Sequence, residues 1–324
     1  MFGGAVLVTA PLSRQTPMAA PSSKNSSGRP FARTHQAYLL LAPGFLIYAL
    51  FVLLPITNTV RYSFFDWTGF SEPTFIGIDN YIRLAGDPDF WKAIGNNTFF
   101  VLFYTILPIM LGLFLTSLLT RSRIRGLTLF RTGLFIPQVM SPVVVGIVWR
   151  WLFTYNGPIN SFLIAIGLEN VALPWLGDFT WAPYAVGAVG TWVQYGLCMV
   201  LFIAGAQSID EELYDAAKVF GANAWQQFRY VTFPGLRQQI LVAFILTFIA
   251  AMRVFDLVFV LTQGGPGKQT IVTSYLIYQQ AFQRNRAGYA SAIAVVIAII
   301  ILVVSIAVFK LQSRDESKSS EAVV

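Results

Sequence analysis

The sequence predicts an all-α integral membrane protein with six transmembrane helices, and both its composition and its apolar runs support this fold class. Hydrophobic residues make up 56% of the 324 residues and charged residues only 11%, whereas an ordinary soluble domain carries about 25% charged residues. Such a chain cannot cover its own surface with polar groups, so it needs an apolar solvent.

Six apolar runs are long enough to cross a bilayer, which takes about 20 residues of helix. Five of them contain no Asp, Glu, Lys or Arg: 36–60, 93–120, 132–149, 179–209 and 287–309. The remaining run, 238–262, is the fifth in chain order; it is equally apolar but includes Arg253 and Asp256. Alternation with a period of two residues is low, so helices are expected and a barrel is not.

These runs divide the chain into three regions. Residues 1–35 are rich in Ser, Pro and Ala, carry no acidic residue, and are predicted to be a disordered basic tail. Residues 36–311 would form the membrane domain, and residues 312–324 a second tail. The apolar stretch 5–10 has no charged region before it, so no cleaved signal peptide is expected; Met18 could equally be the true start.

The distribution of Lys and Arg predicts the orientation, because positively charged loops are retained in the cytoplasm. Most basic residues outside the runs fall in the two tails and in the segments 120–131 and 206–237. The loop 263–286 is also positive and is the exception. Both termini are therefore predicted to be cytoplasmic, and the net charge of +7 is explained by topology, with no nucleic-acid partner.

The segment 208–237 lies between the fourth and fifth spans and is too polar to cross a membrane. Ser208 followed by Glu211 has the spacing of a capping box, which predicts that a helix starts at Ser208. Gly221 can take the left-handed conformation that ends a helix, and Pro234 marks the change from a second short helix to the next span. A helix, a turn and another helix are therefore expected at the cytoplasmic surface.

The first of these helices has one apolar face that is unusually small at its middle. The residues of this face recur at i, i+3, i+4 and i+7: Leu213, Ala216, Ala217 and Phe220. Two adjacent alanines allow the close approach of a partner. From the pattern alone, an amphipathic connector lying among membrane lipid headgroups is an equal alternative.

Within this segment, Asp215-Ala216-Ala217 is followed by Gly221 and then by Val231-Thr232-Phe233-Pro234. This series resembles the EAA loop of ABC importer permeases, whose pattern is Glu-Ala-Ala, a Gly, and Ile-x-Leu-Pro. In that family the helix pair inserts into a cleft on an ATPase subunit. The resemblance implies that 208–234 is a coupling loop whose coupling residues are Asp215, Ala216, Ala217, Gly221 and Pro234. The sequence departs from the pattern at three positions: Asp215 replaces Glu, Phe220 replaces Asp and Asp210 replaces Pro.

Four further stretches are similar to the carbohydrate-importer branch of that family, and the resemblance covers about residues 36–310. The stretches are 75–81, 156–168, 199–213 and 253–267. They imply the permease subunit of an ATP-driven importer in a bacterial or archaeal plasma membrane, carrying a sugar such as an oligosaccharide or glycoside. The implied partners are a second permease subunit, two ATPase subunits and an extracytoplasmic sugar-binding protein.

On this reading the chain is not an enzyme and binds no cofactor, because ATP and Mg would be held by the ATPase. A glycerol-phosphate importer permease is a close alternative. A secondary transporter is another, although proton-coupled carriers usually bury several acids and here only Asp256 lies within a span. A membrane enzyme is a third.

The same resemblance implies a sugar pathway along one face of each of two spans. Its residues are Gly190, Gln194 and Leu197 on the fourth span and Thr247, Ala251 and Val254 on the fifth. Ordinary helix packing is the alternative, because Gly, Ala and Thr also suit close membrane-helix interfaces. For Arg253 and Asp256, three residues apart, we predict an intrahelical ion pair that fixes the bundle, with contact to the sugar as the alternative.

No catalytic or metal site is predicted. The stretch 264–270 is not a Walker A motif, because Thr262 and Gln269 occupy positions that need Gly and Ser or Thr. The lone His35 and the lone Cys198 provide neither a metal cluster nor a nucleophile with its base.

Overall fold

A computed structural model describes residues 30–121 and 126–321 of the chain. The chain falls into two compact units, the first ending at Leu54 and the second beginning at Pro55. Most of the predicted basic tail, residues 1–29, lies outside the described residues, as do residues 122–125.

The described part of the first unit is helical. Helix α1 spans Pro30–Tyr48 and continues as a π-helical stretch over Ala49–Leu53. Helix α1 therefore begins inside the region that the sequence assigned to the 1–35 tail.

The second unit opens with short elements. Helix α2, Leu54–Tyr62, starts at the unit boundary. Strands β1 (Phe65–Asp66) and β2 (Thr74–Phe75) pair antiparallel, with Phe65 opposite Phe75. Helix α3 spans Asp79–Ala85.

The long apolar helices follow. Helix α4 (Pro88–Val101), a π-helical stretch (Leu102–Ile106) and helix α5 (Leu107–Arg121) follow one another without a break. Helices α6 (Leu127–Val139) and α7 (Pro142–Leu152) come next, then the short α8 (Pro158–Ala165) and a 3₁₀ turn (Glu169–Val171). Helix α9 spans Ala182–Ala206.

The C-terminal half is more broken. Helix α10 spans Glu211–Val219 and α11 spans Ala224–Gln227, which continues through a π-helical stretch (Phe228–Thr232) into α12 (Phe233–Gly235). The remaining elements are α13 (Arg237–Met252), α14 (Asp256–Leu261), α15 (Thr273–Tyr278), a π-helical stretch (Gln279–Gln283) and α16 (Ala287–Glu321).

The described residues contain four unbroken helices that are long and apolar enough to cross a membrane. These are Leu40–Tyr62, Pro88–Leu119, Ala182–Ala206 and Ala287–Lys310. Two bent pairs raise the number to six if each pair counts as one span: Thr128–Val139 with Pro142–Leu152, and Ala224–Gly235 with Arg237–Met252. The predicted all-α fold with six spans is confirmed, with four continuous spans and two bent ones.

The third apolar run, predicted as one membrane helix over 132–149, is divided into two helices. The chain bends by 94° between α6 and α7. Pro142 starts α7, and a residue before proline is pushed out of the helical conformation. Ser141 accordingly has φ −58° and ψ 128°.

The fifth and sixth runs also differ from the predicted limits. Helix α13 ends at Met252 and α14 begins only at Asp256, so the run 238–262 is broken at 253–255. Helix α16 continues to Glu321, through most of the stretch 312–324 that was predicted to be a tail.

Helices α5 and α9 pack at backbone distance. A Cβ added to Gly112 of α5 would lie 2.7 Å from the Cβ of Cys198 and 3.0 Å from the amide nitrogen of Met199 on α9. Cys198 is fully buried, as expected for a small hydrophobe. Close approach at small residues is how membrane helices gain packing energy.

We predict that Gly112→Ala lowers the stability of the protein by about 1–3 kcal/mol, because the added methyl group overpacks against the backbone of α9. Gly95→Ala is the matched control, since Gly95 is also helical and nothing lies within 4 Å of its added Cβ. Thermal unfolding of the detergent-solubilised variants measures both. Equal midpoints for the two variants would contradict the predicted close contact.

Candidate functional site

The polar segment after α9 forms the predicted helix pair, but its first cap differs from the prediction. The N-cap of α10 is Asp210, whose Oδ1 accepts a hydrogen bond from the Glu212 amide at 3.1 Å. The predicted capping box at Ser208 is wrong, because the Ser208 hydroxyl donates to the Gly205 carbonyl at 2.7 Å. Ser208 therefore closes the end of α9.

The turn between α10 and α11 is built as predicted around Gly221, which has φ +76°. Its amide donates to the Lys218 carbonyl, and the Ala222 amide donates to the Ala217 carbonyl at 2.9 Å, which closes the helix end in the manner of a Schellman motif. A true capping box then starts α11, where Asn223 and Gln226 exchange hydrogen bonds of 2.8 Å. The turn is thus defined on both sides.

Further contacts hold the two halves of the helix pair together. The hydroxyls of Tyr214 on α10 and Thr232 lie 3.0 Å apart, and the Gln227 side-chain amide donates to the Ala222 carbonyl at 2.8 Å. Pro234 lies in α12, beside the 68° bend that leads into α13. The helix pair therefore joins α9 to α13.

The apolar face of the helix pair is not covered by the rest of the described chain. Phe220 is 89% exposed, Val219 85% and Leu213 55%, while Ala216 is also exposed and Ala217 is half-buried. On another side of α10, Asp215 forms an exposed ion pair of 2.8 Å with Lys218. An uncovered apolar face at a rigid turn is typical of a surface that binds a partner.

A second feature is a cavity of about 450 Å³ between the long helices. Helices α9, α13 and α14, the π-helical stretch after α4 and the bend between α6 and α7 all contribute. The lining residues are Tyr104, Gln138, Met140, Pro142, Val193, Gln194, Leu246, Ile249, Ala250, Arg253, Val254, Phe255, Asp256 and Leu257.

The structure separates the six residues predicted to face a sugar. Gln194 and Val254 line the cavity. Thr247 and Ala251 are fully buried in helix packing, and the Thr247 hydroxyl donates to the Ala243 carbonyl at 2.7 Å. Leu197 is half-buried and does not reach the cavity.

Gly190 is the remaining member of that set, and it is covered by an aromatic ring. A Cβ added there would collide with ring atoms of Tyr104. Gly190 thus supports the cavity indirectly, by leaving room for Tyr104.

The predicted intrahelical ion pair of Arg253 and Asp256 is wrong for the described structure, because the helix between these residues is broken. Arg253 follows the last residue of α13, and Asp256 begins α14. Neither residue belongs to an ion pair in the described residues. Both side chains are exposed to the cavity instead.

Asn97, a buried residue on α4, holds the broken helix in place. Its Nδ2 donates to the carbonyls of Ala251 and Met252 at 3.0 and 3.3 Å, which have lost their usual partners at the end of α13. Its Oδ1 accepts from the amide and the hydroxyl of Thr273, the first residue of α15, at 2.9 and 3.0 Å. One amide side chain therefore caps the end of α13 and the start of α15.

The neighbouring Asn96 and an ion pair secure the loop after α14. The Asn96 amide donates to the Ile271 carbonyl at 2.8 Å, and Lys268 pairs with Asp89 at 2.7 Å. The Thr262 and Thr270 hydroxyls lie 2.6 Å apart across the loop. The loop after α14 is thereby fixed against α4.

Sequence reasoning missed Tyr104, Gln138 and Asn97. The side chains of Tyr104 and Gln138 each bury an oxygen atom that has no hydrogen-bond partner among the described residues. All three are polar residues inside otherwise apolar runs, and such residues are costly enough in a membrane to suggest a role. That signal was available, but it could not say which residues meet.

No group of three or more His, Cys, Asp or Glu side chains that could hold a metal ion occurs within the described ranges.

Comparisons with known proteins match most of this chain. The family described as "Binding-protein-dependent transport system inner membrane component" matches residues 109–315. The "Probable ABC transporter permease protein YurN" of Bacillus subtilis is 38% identical over 83% of this chain and 93% of its own length. The "Lactose transport system permease protein LacF" of Rhizobium radiobacter is 32% identical over 84% of this chain and 92% of its own.

The fold also matches a chain of a solved bacterial alginate ABC transporter in complex with an alginate pentasaccharide-bound periplasmic protein. The TM-score is 0.75 at 23% identity, over 88% of this chain and 96% of the other. The fold is therefore one that already occurs in a solved transporter.

We predict that Asn97→Leu lowers the free energy of unfolding by about 1–3 kcal/mol, because it leaves buried carbonyl and amide groups without partners. Thr98→Val is the control, since the Thr98 hydroxyl is exposed and bonds only to the Ile94 carbonyl of its own helix. Thermal unfolding in detergent measures the difference. A loss no larger than that of the control would show that Asn97 does not hold the break.

Proposed function

This chain belongs to the family of binding-protein-dependent transport system inner membrane components, and we propose that it is the permease subunit of an ATP-driven importer that moves a sugar into the cytoplasm. The observation that carries the proposal is the exposed turn at Gly221, joined on both sides to helices that line the cavity. An external motor can act on such a turn and thereby change access to the cavity.

The substrate class rests on the relatives and on the cavity. One similar protein is named for lactose transport, and a protein of the same fold belongs to an alginate transporter. The cavity offers polar groups beside the ring of Phe255, and a few placed polar groups among apolar walls are typical of small-molecule sites. Of the six predicted pathway residues, we retain Gln194 and Val254 as cavity walls and Gly190 as the support of Tyr104.

The coupling step follows from the helix pair. We propose that the face formed by Leu213, Ala216 and Phe220 docks in a cleft of an ATPase subunit, with Ala217 and Gly221 permitting a close approach. Asp215, paired with Lys218, would lie at the rim of that contact. The amphipathic connector among lipid headgroups is the competing explanation for the same exposed face.

Motion of the docked helix pair would reach the cavity along two routes. Helix α10 follows α9, which carries Gln194, and α12 with Pro234 leads into α13, which ends at the Arg253 break. The bond between Tyr214 and Thr232 makes the pair move as one body. ATPase closure would therefore tilt both cavity walls together.

The remaining partners and the orientation complete the proposal. A docked ATPase would place α10 in the cytoplasm, and six spans would then place both termini there as well. A second permease subunit would close the cavity, two ATPases would bind ATP and Mg, and an extracytoplasmic binding protein would deliver the sugar. The membrane would be the plasma membrane of a bacterium or an archaeon.

We predict that Gly221→Val reduces sugar uptake per ATP hydrolysed by about tenfold or more in proteoliposomes that contain the complete importer. Valine is strained at φ +76°, so the turn that meets the ATPase should deform. Gly167→Val is the matched control, because Gly167 has φ +82° and equally open surroundings in a loop far along the chain from α10. If the two variants couple transport equally well, the proposed mechanism fails.

We also expect the cognate binding protein to be stabilised by a neutral sugar. A thermal-shift screen with lactose, maltotriose, raffinose, diacetylchitobiose and glycerol 3-phosphate tests this, because a ligand at 100 times its Kd adds about 2.7 kcal/mol of stability. A shift with glycerol 3-phosphate alone would replace the sugar with the glycerol-phosphate alternative.

A further inference from the structure

We propose that Arg253, Asp256, Tyr104 and Gln138 form a polar subsite that binds an uncharged, polyhydroxylated part of the transported molecule. The proposal rests on the proposed function, since it takes the cavity to be part of a transport path. It differs from the six residues implied by the family resemblance, of which the cavity includes only Gln194 and Val254.

The break in the fifth apolar run exposes the two charges to the cavity. Had α13 continued to Leu261, Arg253 and Asp256 would lie three residues apart on one helix, within reach of each other. The chain instead leaves the helix at Arg253 and re-enters it at Asp256. Both side chains are exposed and line the same cavity.

Neither Arg253 nor Asp256 is needed to cap the backbone carbonyls that the break leaves free at the end of α13. Asn97 already donates to Ala251 and Met252 at the end of α13. The guanidinium of Arg253 is therefore not required as a cap, and the Asp256 carboxylate belongs to no ion pair among the described residues. A charged pair held apart and turned to a cavity is available to a ligand.

Two unpartnered oxygens give independent support. Tyr104 is 5% exposed, and its hydroxyl has no hydrogen-bond partner in the described part of the chain. The Oε1 atom of Gln138 is also buried and also has no hydrogen-bond partner among the described residues. Both residues line the cavity. Buried polar atoms without partners cost free energy, so a site that retains two of them in one cavity points to a ligand.

The chemistry of this set fits hydroxyl groups. A sugar hydroxyl both donates and accepts: Asp256 and Gln138 Oε1 can accept from it, whereas Arg253 and the Tyr104 hydroxyl can donate to it. The ring of Phe255 provides an apolar wall for the C–H face of a sugar. Arg253 and Asp256 carry opposite charges, so together they add no net charge to the cavity. The attraction of Arg253 for a phosphate or a uronate is opposed by the repulsion from Asp256.

Tyr104→Phe is the cleanest test, because it removes a hydroxyl that has no partner within the described protein. A purely structural role predicts unchanged or improved folding and unchanged transport. We expect unchanged folding and assembly but about tenfold slower ATP-dependent uptake in proteoliposomes of the complete importer. The probe is radiolabelled lactose, maltotriose, raffinose or diacetylchitobiose, whichever stabilises the binding protein. Tyr184→Phe, a half-exposed tyrosine at the start of α9 outside the cavity, is the matched control.

The charges are tested with Asp256→Asn, Arg253→Gln and the double variant, against Arg150→Gln. Arg150 lies on α7 and donates to the Val260 carbonyl, outside this cavity. We expect each single variant to lower uptake of the neutral sugar about tenfold, because each removes a group that hydrogen-bonds the sugar. The double variant should transport no faster than the slower single variant, because both contacts are lost. Recovery in the double variant would contradict the subsite, since removing both partners of a structural ion pair leaves no unpaired charge.

The proposal would be overturned if Tyr104→Phe, Asp256→Asn and Arg253→Gln all transported sugar as fast as their control variants. Loss of assembly in the charge variants, together with normal transport by Tyr104→Phe, would also overturn it and assign the charges to the fold. Failure of the proposed function is recognised separately, because the unmodified importer would then show no ATP-dependent sugar uptake at all.

Discussion

Most of this structure depends on one requirement, that backbone groups in a hydrocarbon environment must find partners within the protein. A continuous helix meets the requirement by itself, whereas the chain at 253–255 does not. Asn97 meets it from another helix, by donating to two carbonyls at the end of α13 and accepting from the first amide of α15. Leucine or alanine at this position could do neither, and a carboxylate could not donate.

The break that Asn97 supports has a consequence for the cavity. It turns two charged residues inward that would otherwise neutralise each other along a helix. Charged side chains within a membrane domain are expensive unless they face protein or water, and here both line the open cavity. Gly190 contributes by its lack of a side chain, since the ring of Tyr104 lies where a Cβ would be.

The helix pair and the cavity are connected along the chain, which is why we propose that they form one mechanical path. The Gly221 turn is defined by backbone hydrogen bonds and a capping box, so a force on α10 is not absorbed by a flexible loop. In the proposed mechanism it would pass to α9 on one side and, through the 68° bend, to α13 on the other. Because α13 ends at the break, the proposed docking site connects to Arg253 and Asp256 through a single helix.

The sequence by itself determined the class of fold, the positions of the apolar runs, the polar helix pair and the turn at Gly221, because hydropathy, helix length and a glycine at a left-handed position are local properties. Local patterns misplaced the cap, which is Asp210 and not Ser208. They also placed single helices where Pro142 starts a new helix after a bend and where Asn97 supports a break. Only the tertiary structure decided which polar residues meet, because they come from three separate stretches of the chain that share a neighbourhood only after the helices pack. These stretches carry Asn97 and Tyr104, then Gln138, then Arg253 and Asp256. The ion pair of Arg253 and Asp256 failed as a prediction for the same physical reason: the side chain that caps the broken helix comes from a span about 150 residues earlier in the chain.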